Sequence, residues 1–197
     1  MKKNTAFIIV VITAAALVGC SSPLLVNREG VAPYKLTASE LELLQSLGLD
    51  NDVNLISFKA PQSARSLAVG VYILGDDGNW ITSGGGRVLL GDDDTDRLEG
   101  TLAVIFREDY ALEFHINTKG RASYTTNKLD LDLEMLLSSR SFLSDYREIE
   151  LNQEIPVAVM AYTSGTSLRA FGVDNFFTPE VFAGADLVQA VTLTFTE

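Results

Sequence analysis

Between positions 67 and 74 apolar residues recur at every second place, with Val69, Val71 and Ile73 on one side of an extended chain. That period of two predicts a half-buried strand. The same alternation predicts a strand at 188–195, where Val191, Leu193 and Phe195 oppose Thr192 and Thr194. Residues 53–60, closed by Pro61, predict a further strand, and the almost wholly apolar run 155–162 reads as a central one. Gly75-Asp76-Asp77-Gly78-Asn79 predicts a hairpin turn into Trp80-Ile81-Thr82. Arg107-Glu108-Asp109 predicts a second short hairpin, between strands 102–106 and 110–117. Residues 122–133 end with Leu129, Leu131 and Leu133 against Asp130, Asp132 and Glu134, the pattern of a strand with one wet face. Ser164-Gly165-Thr166 predicts a turn that leads back through Leu168 and Ala170.

One segment carries a helical period instead. Thr37 followed three residues later by Glu40 is a capping box, and Leu36 and Leu41 stand at the positions of a hydrophobic staple. Leu41, Leu44 and Leu47 then recur at helical spacing, Leu43 widens the stripe, and Gly48 supplies the stop. These leucines predict a short helix packed over part of the sheet structure that follows. Eight to ten short strands at near-regular spacing, without helices between them, predict a mainly β fold. The expected architecture is an antiparallel β-sandwich with one short N-terminal α-helix, a β-barrel being the alternative. A doubly wound α/β fold is excluded by the missing helices.

The start of the chain obeys a different pattern. Lys2 and Lys3 precede an apolar run at 6–18 broken only by Thr13. Thirteen residues are too few to cross a bilayer as a helix, which needs about 20. A charged start, a short apolar core and small residues at its end describe a secretory signal. The run ends in Leu17-Val18-Gly19-Cys20, which resembles the lipobox of bacterial lipoproteins, with Val18 where Ala or Ser is commonest. The resemblance covers residues 1–22 and implies that the signal is cut before Cys20, whose thiol is acylated. It implies a chain anchored by lipid on the extracytoplasmic side of a bacterial membrane. Two acyl chains hold stably where one is marginal. Pro23, Gly30 and Pro33 mark residues 20–35 as a tether, which leaves 36–197 as a single β-rich domain.

Composition then narrows the chemistry. The 26 acidic and 15 basic residues among 197 give a net charge of −11, which excludes a nucleic-acid partner. Loss of residues 1–19 removes two lysines and no acid, so 13 basic against 26 acidic residues leave −13. That charge favours neutral or cationic partners. A single Cys and a single His, His115, exclude disulfide frameworks and multi-histidine metal sites. Asp92, Asp93, Asp94 and Asp96 form the densest acidic cluster. As an EF-hand it fails, because Arg97 stands where the turn Gly belongs and Ala103 where the bidentate Glu belongs. It reads as a solvated turn, and no metal or cofactor is expected. Ser83-Gly84-Gly85-Gly86-Arg87 lacks the Gly-Lys-Ser/Thr ending of a phosphate cradle and reads as a flexible loop. His115 should share a strand face with Glu113 and Asn117, as a surface or rim residue with no nucleophile-elbow motif. Phe171, Phe176, Phe177 and Phe182, gathered around Pro179, read as an aromatic plug over the open end of the sandwich. Their alternative reading is an exposed platform for a sugar or a protein.

No catalytic residues stand out, and the one assigned site is lipid attachment at Cys20. The expected function is a lipid-anchored, non-catalytic binding or structural sandwich. Its partners would be the bilayer, through acylated Cys20, and an envelope protein or glycan. The alternative is a small lipid-anchored hydrolase with a site built on loops.

Overall fold

A computed structural model describes residues 27–90, 97–131 and 137–197. Among them, ten strands form two five-stranded antiparallel sheets that do not close into a barrel. The first sheet has the order β1 (Gly30–Pro33), β2 (Val53–Lys59), β5 (Glu99–Phe106), β6 (Leu112–Asn117), β7 (Arg121–Thr125). The second runs β4 (Trp80–Leu89), β3 (Ser66–Leu74), β10 (Leu187–Thr196), β9 (Glu154–Thr163), β8 (Leu137–Phe142). The expected sandwich is therefore what forms. Its alternating residues meet across the gap: Phe58 of β2 lies 5.8 Å from Phe195 of β10, both fully buried. A backbone bridge between Val31 and Arg147, 2.8 Å in each direction, ties β1 to the segment after β8.

Helix α1 (Ala38–Ser46) has the expected capping box, with Thr37 Oγ1 accepting from Glu40 N and Glu40 Oε2 accepting from Thr37 N. Gly48 follows at φ +66°, a left-handed turn that suits glycine. Its leucines, however, do not cover the sheet. None of the helix residues is buried, because the inner faces of the two sheets already fill one another.

Three further expectations are corrected. Residues 83–87 are not a loop but the middle of β4, with a bulge after Thr82. The glycines there permit close approach. A Cβ on Gly85 (φ +148°) would lie 2.3 Å from the Val69 carbonyl oxygen, and one on Gly84 would lie 2.9 Å from the Tyr124 hydroxyl of β7. The strand expected over 122–133 ends at Thr125, where Thr126 closes the ladder on Leu112 through both its amide and its hydroxyl. Leu129 and Leu131 then reach the core from an irregular path. Gly30–Pro33, within the stretch read as tether, pairs with β2 and belongs to the sandwich. The chain after Ser164-Gly165-Thr166 returns without a strand.

Candidate functional site

Two places gather the residues singled out in the sequence. The first is the outer face of the second sheet. Its central strands present small side chains there, Val159 and Ala161 from β9 with Val188 and Ala190 from β10. That shallow floor leaves depth for rings, and the segment carrying the phenylalanines lies across it as two short 3-10 turns, Val173–Phe177 and Pro179–Phe182. Phe176 stacks on Trp80 at 5.1 Å and leans on Tyr72 at 5.6 Å, while Trp80 Nε1 donates to the Phe176 carbonyl at 2.8 Å. Phe182 meets Trp80 and Phe171 edge-on. The segment is thus a plug, but on a sheet face and not at the open end. The two rings most in question divide: Phe176 is 6% exposed and Phe177 61%.

Beside the plug, Tyr72 folds back over Gly70, and a Cβ at that position would meet the ring at 2.9 Å. Its hydroxyl donates to Glu154 Oε1, which also accepts from Thr192 Oγ1 at 3.1 Å. Burial, and then the neighbouring Glu154 carboxylate, push the Tyr72 phenol up to about 12. On the other side a groove of about 540 Å³ is lined in part by Asp76, Asp77, Glu180 and Asp186. Asn79, through its side chain first and its amide second, holds the Asp77 carboxyl below the usual range. The Ser164 amide and hydroxyl do the same for Asp186. These carboxylates are committed to shaping turns. Among the described residues no group of three His, Cys, Asp or Glu side chains could hold a metal ion.

The second place is the outer face of the first sheet. His115 does share a face with Glu113, and the structure pairs them, Nε2 to Glu113 Oε1 at 2.6 Å. Arg107 binds the other oxygen of Glu113 at 2.6 Å and is the main reason its carboxyl sits below the usual range. Ser123 lies directly opposite His115 on β7. An acid, a histidine and a serine are therefore neighbours, which the sequence did not reveal because the pairing of β6 with β7 set it. Yet a guanidinium can only donate, so the 3.0 Å contact of Arg121 makes His115 Nδ1 an acceptor. Glu113 holds the proton of the other ring nitrogen. Both imidazole nitrogens are thus engaged by Glu113 and Arg121 in this arrangement.

Cys20 and the acidic cluster at Asp92, Asp93, Asp94 and Asp96 lie outside the described residues. The residues missed in the sequence are Tyr72, Trp80, Glu154 and Arg121. Each acquires its partner from another strand or from the plug, and nothing in its own segment marks it. No family model, curated protein or solved structure matches the chain.

Proposed function

We propose that the protein is a lipid-anchored envelope lipoprotein whose sandwich binds or supports another envelope component without catalysis. The observation that carries this reading is Leu17-Val18-Gly19-Cys20 at the end of a 13-residue apolar run, holding the single cysteine of the chain. Two features of the domain support the non-catalytic part. Arg121 engages the nitrogen of His115 that a hydrolase would need free. The plug offers Phe177 to solvent, and its second turn borders an acidic groove through Pro179, Glu180 and Phe182, surfaces suited to a neutral or cationic protein or to a glycan.

Mass spectrometry and membrane fractionation test the reading. The wild type should carry a diacylglycerol-modified Cys20 as its first residue and sediment with membranes. Cys20→Ala should leave a full-length or soluble species, because no other residue has a thiol to acylate. A mature wild-type chain without lipid would overturn it.

A further inference from the structure

Of nine large apolar side chains left exposed among the described residues, four fall within the twelve positions that contain α1. Leu43 and Leu47, one helical turn apart on one face, are 60% and 61% exposed. Leu36 and Leu41, at the staple positions of the helix start, are 38% and 41% exposed on a different face. The other five, including Ile81, Leu89 and Phe177, are spread over the rest of the molecule. The helix is well made, since a complete capping box holds its first turn and the Tyr34 hydroxyl donates to Glu40 at 2.8 Å. A regular helix that buries none of its leucines presents apolar surface to its surroundings.

We infer that this patch rests on the bilayer that holds the anchor, with α1 lying in the lipid interface. The inference depends on the reading of Cys20 as acylated. Ten residues, 20–29, separate that cysteine from the start of β1, a reach of at most about 36 Å. β1 itself, four residues long, spans only about 13 Å before the chain turns toward α1. The tether therefore reaches well past the strand, and the end of the sandwich bearing α1 can lie on the membrane. An acylated chain meets its bilayer at high effective concentration, so a small apolar patch suffices where it would fail for a free protein. With 13 basic against 26 acidic residues, a net −13 once residues 1–19 are lost, and with Glu40 and Glu42 on the helix, the fitting surface is a zwitterionic one.

The single cysteine makes the test clean, because acylation leaves it unreactive to thiol labels. Full-length lipidated protein with Leu43→Cys, or with Leu89→Cys on the opposite edge of the sandwich, is labelled with an environment-sensitive fluorophore. Each is placed in vesicles of phosphatidylethanolamine and phosphatidylcholine. Quenching by doxyl-labelled lipid should be at least about threefold stronger at position 43 than at 89, and iodide in the water should show the reverse. A companion Leu43→Glu, Leu47→Glu chain should keep the wild-type melting temperature, since both positions are exposed. Equal quenching at 43 and 89 on a chain whose Cys20 is shown to be lipidated overturns the helix inference and leaves the anchor standing. A label at 43 shielded from both quenchers in a chain that elutes as a dimer also overturns it, because a second copy then covers the patch. An unmodified Cys20 overturns both readings.

Discussion

Phe176 and Phe177 are adjacent in sequence and opposite in consequence. The Phe176 ring is held by Trp80 and Tyr72 over the small residues of β9 and β10, whereas Phe177 touches Phe176 edge-on and faces water. Truncating a buried Phe typically costs about 3–5 kcal/mol, and an exposed substitution stays within about ±0.5 kcal/mol. Urea unfolding should therefore show Phe176→Ala destabilised by at least about 2 kcal/mol and Phe177→Ala close to wild type. Equal losses in both variants would show that the plug holds its rings in some other way. Tyr72 offers a second residue-scale check, this time against pH. Burial, and then Glu154, favour the neutral form of its phenol and push it from the ordinary 10.0 of an unfolded chain up to about 12 in the fold. A raised folded value means that its contribution is intact below pH 10 and is lost as pH climbs from 10 toward 12. Tyr34, raised to about 12 by burial and then by Glu40, acts in the same window. Tyr72→Phe should accordingly flatten part of the fall in stability above pH 10, measured by denaturant titration at each pH. Parallel curves for the two proteins would refute the assignment.

At the scale of elements, legibility followed the range of the forces involved. β3, whose alternation reflects one face on the core and one turned away from it, is readable residue by residue, and so is the cap of α1. β10 shows the same alternation although the plug buries its outer face as well. The errors arose where a partner distant in sequence decided the outcome. β4 runs through Ser83-Gly84-Gly85-Gly86-Arg87 because β3 pairs with those glycines and Tyr124 packs over them, so residues that read as a loop form part of a strand. β1 carries no period of its own because four residues are too few, and its place is set by Phe58, Ile56 and the bridge to Arg147. The leucines of α1 read as a stripe packed on the sheet, yet spacing alone does not say what a stripe meets, and here they stay exposed. The same limit applied to the sites. Glu113 and His115 were recognisable as sharing a face, whereas Arg107, Arg121 and Ser123 came to them only through the turns and pairings of the sheet.

For the whole molecule, one shared core binds the two sheets into a single unit. The inner faces pack on one another, so separating the sheets would expose Phe58, Phe114, Phe195 and Leu193 together. The plug adds a second, smaller apolar layer on one outer face, and that layer draws its own floor from β9 and β10. Cooperative unfolding should follow from this arrangement, with the plug leaving in step with the strands beneath it. The chain carries its own reporters for each side: Trp80 is its single tryptophan and lies under the plug on the second sheet, and His115 is its single histidine on the first. Trp80 fluorescence, the His115 imidazole proton resonances and far-ultraviolet circular dichroism should give the same urea midpoint and the same slope. A tryptophan transition at lower urea than the other two would show the plug to be a separate unit that opens before the sandwich. Coincidence of tryptophan and dichroism with an earlier histidine transition would place the weak point at β6 and β7, where β7 is exposed along its whole length.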